Sequence, residues 1–312
     1  MGPKLDKTTI TVLCVLAFTA ILLVIFMVYI VDRSSEHVAE IKKTKVMGPG
    51  ENLASPLGSE DDLVSMNVKE PHPSYFTCTV ADGTIKEAMF HKIADVKNLR
   101  EVSFKRCEFS GADFKFLDNA HIDVVRFDND KIDEECMQSI GRWPYVKSIE
   151  MSSCDVSPHA LAHLSESNVR WLQLRYSQST AAVPDFTADD LRALSELKKI
   201  MFLEVEKSKF APGAFQAITS CPAMALNVER CDITDDDLVE IAKMPKLVCL
   251  NLVNNPKITC KGLKVLLNSK SIQQINFGDD IPKCEFTAAE KKKLSVGHFS
   301  IPMPMWQQYN RE

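Results

Sequence analysis

The sequence predicts an α/β solenoid of about eight irregular repeats, preceded by one transmembrane helix. Three observations support this prediction. A triplet of apolar residues returns about every 25 residues over most of the chain, a residue that can hydrogen-bond the backbone follows most triplets at a fixed distance, and one long stretch near the start carries no charge. The first two observations indicate stacked strand–turn–helix units, and the third indicates a membrane span.

The composition is that of a folded protein without a surface for nucleic acid. The 312 residues include 37 Lys and Arg against 42 Asp and Glu, a formal net charge of −5, and 45% are hydrophobic. A disordered chain would have fewer large apolar residues, and a nucleic-acid-binding domain would have a clustered basic excess. Because no metal-binding or phosphate-binding motif is present either, we expect no nucleic acid, no metal and no cofactor.

Residues 8–31 form a stretch without a charged side chain, flanked by Lys7 and Asp32. At about 1.5 Å per residue, a helix of this length crosses a hydrocarbon core about 30 Å thick. A cleaved signal peptide would have a shorter apolar region and a small-residue cleavage site. The prediction is therefore a short tail at 1–7 and an uncleaved, single-pass signal anchor at 8–31. Since the leading end is short and basic, we expect the C-terminal domain outside the cytoplasm.

Three further segments flank the repeats. Residues 32–72 mix charged residues with Ser, Gly and Pro and contain only isolated apolar residues, which predicts a flexible stalk. Residues 73–98 are a divergent lead-in, which we interpret as an N-terminal cap or a degenerate repeat. Residues 296–312 are predicted to be a C-terminal tail.

Eight triplets, with apolar residues at relative positions 0, +3 and +5, organise residues 99–295. The seven steps between the first and last triplets cover 173 residues, a mean of 24.7 residues per step. A short buried strand fits each triplet, and an amphipathic helix fits the residues that follow. The triplets begin at Leu99, Ile122, Val146, Val169, Leu197, Ala223, Leu247 and Ile272.

Position +8 of most triplets holds a residue that can satisfy the backbone of a turn. Cys107, Cys154, Cys231 and Asn255 occupy this position, whereas Val205 breaks the pattern in the fifth unit. We interpret Cys107, Cys154, Cys231 and Asn255 as a structural ladder. Thr before an acidic turn, as in ITDDDLVEIAKMP and FTADDLRALSEL, then marks the start of a helix.

The combined pattern of LxxLxL, a following Asn or Cys, and ITDxxL-like helix starts resembles the leucine-rich-repeat superfamily, particularly its cysteine-containing members. The resemblance covers residues 99–294 and departs from the pattern where leucines are replaced and where the step from Val169 to Leu197 reaches 28 residues. It implies a horseshoe whose parallel strands form a concave sheet that binds another macromolecule.

Alternate strand residues of such a sheet face the concave side, which gives a predicted binding site. Trp and Arg are frequent anchors of protein interfaces, and exposed apolar clusters usually have a role. The alternative is that residues 298–312, or the loop at 177–187, cover the patch. The six predicted partner-binding residues are Trp171, Arg175, Met201, Leu203, Arg126 and Gln173.

We therefore expect a non-catalytic, membrane-anchored module that binds a protein partner through its concave sheet. One alternative is a structural or scaffold protein of the cell envelope that self-associates. Another is an enzyme with an unrecognised cysteine-based site, because the His partner of a catalytic cysteine is distant in sequence. The ladder cysteines Cys107, Cys154 and Cys231 lie in non-neighbouring repeats, roughly 9–10 Å or more apart, so we expect free, buried thiols.

Overall fold

The computed structural model of the protein describes residues 65–72, 75–156, 158–175, 185–278 and 284–297. The strands are β1 (Ser65–His72), β2 (Tyr75–Thr84), β3 (Leu99–Glu108), β4 (Val124–Asp128), β5 (Lys131–Ile132), β6 (Ser148–Ser152), β7 (Asp155–Val156), β8 (Trp171–Arg175), β9 (Asp185–Phe186), β10 (Phe202–Glu206), β11 (Lys209–Phe210), β12 (Ala225–Asn227), β13 (Cys249–Asn251), β14 (Gln274–Asn276) and β15 (Ser295–Val296). The α-helices are α1 (Glu87–Ala94), α2 (Glu134–Arg142), α3 (Ala188–Ser195), α4 (Asp235–Ile241), α5 (Cys260–Val265) and α6 (Ala288–Lys293). Short 3₁₀ helices cover Gly111–Leu117, Pro158–Leu164, Ala214–Ile218 and Leu266–Asn268.

Eleven strands form one sheet whose order follows the chain, β1-β2-β3-β4-β6-β8-β10-β12-β13-β14-β15. Neighbours pair in parallel, except that β1 and β2 are antiparallel. The turn strands pair separately, β5 with β7 and β9 with β11. A parallel sheet in which each strand pairs with the next repeat is a solenoid, so the predicted solenoid architecture is confirmed for the described residues.

The core lies between the sheet and the helices. Strands β2, β3, β4, β6, β8, β10, β12, β13 and β14 contribute buried apolar residues to it, and the first repeats fill it with aromatic rings. Phe104 stacks on Phe127 with ring centroids 5.5 Å apart, and Phe114 meets Phe90 edge-on at 5.1 Å. All four rings are buried. Such rings bury more apolar surface than the leucines usual at these positions, which explains why the repeat pattern tolerates Phe.

In seven repeats, one residue in the left-handed helical region lies at the end of the strand or just after it, immediately before position +8. L-residues pay roughly 1–2 kcal/mol for this conformation, and only Gly adopts it freely. These residues are Asp82, Arg106, Asn129, Ser153, Lys207, Arg230 and Asn254, with φ between 52° and 65°. Seven different repeats therefore bend at the same point, whatever the side chain.

The ladder side chains hold this bend by hydrogen-bonding the turning backbone. Asn255 accepts the N–H groups of Cys231 and Ile233, both at 3.0 Å, and donates to three carbonyl oxygens in its own and the preceding repeat. The thiol of Cys231 donates to the carbonyl of Val205 at 3.0 Å. The ladder assigned to Cys107, Cys154, Cys231 and Asn255 is thus observed, with each residue at most 4% exposed.

The triplet of the fifth unit begins at a different residue from the one predicted. Leu203 and Val205 are its residues in the main core, pairing with Leu172 and Leu174 of β8. The triplet therefore begins at Ile200, three residues later than predicted. Position +8 then falls on Ser208, which is buried and donates to the carbonyl of Glu206 at 3.3 Å. Ser208, and not Val205, therefore holds the ladder position of this repeat. The ladder continues through the fifth unit without a break.

The folded domain begins before the predicted boundary. Strand β1 lies inside the predicted stalk 32–72, and it pairs with β2 from Ser65–Ala81 to His72–Tyr75. The last residues of that segment are therefore sheet, not stalk. Strand β2 and helix α1 form a full strand–helix unit in register with β3, so the lead-in 73–98 contains a repeat, which β1 covers at the edge.

The predicted tail and anchor lie at or beyond the limits of the described residues. Residues 8–31, the predicted span, fall outside them. Within the described ranges, no helix is both long and apolar enough to cross a bilayer. The tail 296–312 falls outside them except for its first two residues, and the first, Val296, ends strand β15. The membrane anchor therefore stays a prediction.

The cysteines of the described residues divide into seven buried thiols and one disulfide. Cys107, Cys154 and Cys231 are free and buried, as predicted. Cys260, at the start of α5, is bonded to Cys284 of the next repeat, with Cα atoms 5.0 Å apart. The predicted spacing limit excluded pairs in non-neighbouring repeats, and this pair joins adjacent ones.

The ladder residue Asp130 gives a test of how the turn is held. Its carboxylate accepts the N–H groups of Cys107 and Asp128, at 2.6 and 2.9 Å. Burial nevertheless raises the pKa of Asp130 to about 6 from an ordinary 3.8. A carboxyl with a raised folded pKa opposes folding when ionised, so the cost is complete above about pH 6 and disappears below the unfolded pKa near 3.8.

We expect Asp130→Asn to gain about 2 kcal/mol of free energy of unfolding between about pH 4 and pH 8, relative to the unsubstituted chain, because the amide carries no charge. The amide oxygen can accept from only one of the two N–H groups that Asp130 accepts, so this gain is counted from a lower stability at pH 4. The gain should shrink as the pH falls through about 6 and be absent near pH 4. Denaturant unfolding across this pH range measures it, with the exposed Asp155→Asn as the matched control. A stability difference between the two chains that stays constant from pH 4 to pH 8 would show that folding does not change the pKa of Asp130.

Candidate functional site

Three columns of side chains cross the concave side of the sheet, one residue from each column on each main strand. The first column is Glu101, Val124, Ser148, Trp171, Phe202, Ala225, Cys249 and Gln274. The second is Ser103, Arg126, Glu150, Gln173, Glu204, Asn227, Asn251 and Asn276. The third begins Lys105, Asp128, Ser152, Arg175 and Glu206.

An apolar cluster occupies one margin of this surface, where the strands begin. We call it the apolar margin. Its rings are those of Trp171 and Phe202, whose centroids are 5.3 Å apart. Phe202, Met201, Ala225 and Cys249 are buried, and Trp171 is half-buried. The members of the apolar margin are Trp171, Met201, Phe202, Met224, Ala225, Val248 and Cys249.

A charged network fills the central column beside the apolar margin. Arg126 donates to both carboxylate oxygens of Glu150, at 2.8 and 3.2 Å, and forms an ion pair with Glu101 on its other side. The three residues come from three neighbouring strands. Since their side chains are about 30% exposed, the pairs orient the residues more than they stabilise the fold.

A second network runs across four strands toward the C-terminal repeats. Arg175 donates to Glu206 at 2.8 Å, Asn227 donates to the same carboxylate at 2.7 Å, and Asn251 donates to Asn227 at 2.9 Å. Glu206, Asn227 and Asn251 are buried. The polar side chains of β8, β10, β12 and β13 are therefore fixed in a row.

Glu204 lies on β10, beside the second network. Burial and, to a smaller extent, the neighbouring Glu206 charge raise its pKa to about 7, whereas Arg175 opposes the shift. Gln173 donates to Glu204 at 3.4 Å. The centre of the concave side is thus acidic, and part of its charge is lost near neutral pH.

The structure brings together some of the six predicted residues and separates others. Trp171 and Met201 meet in the apolar margin, although Met201 is only 8% exposed. Arg126 and Gln173 lie in the second column, on the concave side where their triplets predicted them. Arg175 lies at the far end of β8, paired with Glu206.

Leu203 was predicted to lie on the concave side, and this prediction is wrong. It is fully buried on the core side, at 0% exposure, because the fifth triplet begins at Ile200. The concave residues of this strand are therefore Phe202, Glu204 and Glu206, which the predicted frame assigned to other positions. Ser208 was the available signal, since a hydroxyl fits the ladder position better than Val205.

Catalytic chemistry by cysteine finds little support in the described thiols. Burial raises the pKa of Cys107 to about 11 and those of Cys154 and Cys231 to about 12. Nucleophilic attack needs the thiolate, which is scarce at neutral pH in such thiols. In the part of the chain that the structure describes, no group of His, Cys, Asp and Glu side chains is arranged to hold a metal ion.

The frame of β10 is testable by thiol labelling. Leu203→Cys should react about 100-fold more slowly than Glu204→Cys with a polar thiol reagent, because a buried thiol reacts only when its repeat opens. Rates are measured on the folded protein in a Cys14→Ser background, and both variants should react alike after unfolding. Faster labelling of Leu203→Cys would show that Leu203 is on the concave side and that the fifth triplet begins at Leu197.

Comparison with known proteins gives structural likenesses only. No protein-family model and no curated protein matches the sequence. An internalin (inlF) from Listeria monocytogenes is 16% identical with a TM-score of 0.43, over 61% of this chain and 51% of that one. Internalin C2 (inlC2) from the same organism is 16% identical with a TM-score of 0.35, over 70% of this chain and 79% of that one. The PEPR1-AtPEP1 structure is 15% identical with a TM-score of 0.37, over 70% and 31%.

This chain therefore spans about half the length of the internalin inlF structure. All three likenesses fall below 25% identity and a TM-score of 0.5, so they transfer no function to this chain. The leucine-rich-repeat-like fold stands on the sheet order, the left-handed turns and the ladder.

Proposed function

We propose that the protein is a single-pass membrane-anchored, non-catalytic module that binds a protein partner through its concave sheet. The observation that carries the proposal is the apolar margin, where Trp171 remains half-buried beside Phe202 at the edge of an ordered polar surface. A partly exposed aromatic residue next to fixed charged groups is a common composition for the centre of a protein interface.

The fixed polar network adds to this argument. Arg126, Arg175 and Glu206 are held by partners on neighbouring strands, so a ligand would meet side chains that are already ordered. Pre-organised groups lose less conformational entropy on binding than mobile surface side chains do. The concave side therefore has the rigidity that a specific binding surface needs.

The anchor and the compartment are part of the proposal. The uncharged stretch 8–31 supports an anchor by its length. The Cys260–Cys284 disulfide supports a domain outside the cytoplasm, because disulfides persist in oxidising compartments and are rare in the cytosol. The raised pKa values of the buried thiols support a non-catalytic role.

Site-specific photo-crosslinking tests the binding surface. A photoreactive phenylalanine analogue replaces Gln173 on the concave side, and the control places it at Val239, which is 38% exposed on helix α4. We expect a discrete partner adduct in native membranes at Gln173 and none at Val239. Adducts only with further copies of the chain would favour a self-associating scaffold, and equal adducts at both sites would contradict a concave binding site.

A glycosylation reporter tests the side of the membrane. Lys270→Thr creates the acceptor sequence Asn268-Ser269-Thr, and both Asn268 and Lys270 are exposed. In animal cells we expect a glycosidase-sensitive increase in mass for Lys270→Thr and none for Lys270→Ala. No glycosylation of Lys270→Thr, together with protease protection of the amino terminus, would place the domain in the cytoplasm.

A further inference from the structure

An open groove of about 710 Å³ lies at the margin where the strands begin, outside the three concave columns. Its floor includes Met201, Met224 and Val248, each one residue before a strand. The backbone fixes these three residues as successive rungs, because Met224 donates to the carbonyl of Met201 and Val248 donates to that of Met224, both at 2.8 Å. The floor is thus as ordered as the sheet it extends.

The walls of the groove are cationic. Arg170, Lys198, Lys199 and Lys246 line it, and no carboxylate is among the described residues that do. The chain as a whole has more acidic than basic residues, so this concentration is local. Lys198 is paired with Glu166 at 2.5 Å, whereas the contact of Lys199 is with the neutral amide oxygen of Asn168.

The chemistry of the groove differs from that of the concave centre beside it. The groove combines apolar thioether and aliphatic side chains with cations, while the second and third concave columns present Glu204 and Glu206 farther along β10. An acidic ligand would be attracted to the first surface and repelled by the second. The charge pattern therefore determines both the sign of the ligand's charge and the place where the ligand binds.

We infer that this groove binds an acidic peptide segment of the partner protein, placing a large apolar side chain over Met201, Met224 and Val248 between carboxylates that reach Lys199 and Lys246. The inference rests on the proposed function, since it names the class of partner. The size of the groove suits several side chains of a peptide. An anionic membrane is disfavoured because a flat bilayer surface does not follow a recessed floor.

Binding of a defined probe to the full chain in a non-ionic detergent tests the inference. The probe is a fluorescein-labelled peptide of Glu and Asp around a central Leu-Met pair. Two control peptides replace the acidic residues by Lys, or the Leu-Met pair by Ser-Ser. We expect saturable anisotropy changes with the first peptide and at least about tenfold weaker binding of either control.

The matched variants change two exposed lysines each. Lys199→Glu with Lys246→Glu should weaken binding of the acidic peptide at least about tenfold, since two attractive charges become repulsive. Lys261→Glu with Lys292→Glu, on helices α5 and α6, makes the same charge change on the other side of the repeats and should leave binding unchanged. Unchanged circular dichroism would show that both double variants are folded.

Several outcomes would overturn the inference. Equal loss of binding in both double variants, or equal binding of the lysine peptide, would mean that net charge alone is responsible. Binding to phosphatidylserine vesicles without binding to the peptide would assign the groove to a membrane surface, and mass doubling that depends on Lys199 and Lys246 would assign it to a second copy. If the Gln173 crosslinks still identified a partner, the proposed function would survive while this assignment of its chemistry failed.

Discussion

The left-handed turn that recurs in seven repeats, held in most of them by a buried ladder side chain, is the constraint on which the rest of the structure depends. The turn ends the strand at a fixed point and directs the chain toward the helix layer. Non-glycine residues occupy it at a cost of about 1 kcal/mol or more, repeat after repeat. The ladder compensates because each of its hydrogen bonds satisfies a backbone group that would otherwise be buried unpaired, at a penalty of about 1–3 kcal/mol.

This turn also decides which side chains face the concave side. A strand of five residues that starts three positions later reverses the sidedness of every member, because alternate residues point to opposite faces. The strands, the turns and most ladder residues could be predicted from the sequence, since apolar spacing and hydrogen-bonding side chains indicate them. The side on which Leu203 lies could not, because Leu197, Ile200 and Phe202 satisfy the same triplet as Ile200, Leu203 and Val205. Only the ladder position separates the two frames.

Other features left no readable pattern in the sequence. The left-handed residues range from Arg106 and Lys207 to Asn254, so residue type does not mark them. Met224 and Val248 precede their strands by one residue and read as loop, although backbone hydrogen bonds to the neighbouring repeats make them an extension of the sheet. The concave position of Trp171 could be predicted because the start of the fourth triplet was assigned correctly. Its contact with Phe202 could not be predicted, because that contact depends on where the fifth triplet begins.

A solenoid is a one-dimensional stack in which each interior repeat is supported by two neighbours and each terminal repeat by one. In the described domain, β1 runs antiparallel along the first repeat and covers the edge that another strand would otherwise extend. At the opposite end, the Cys260–Cys284 disulfide closes a loop of 24 residues between the last two repeats, which restricts the unfolded chain by about 3 kcal/mol. Fraying from either terminus is thereby opposed, by hydrogen bonds at one end and by a covalent link at the other.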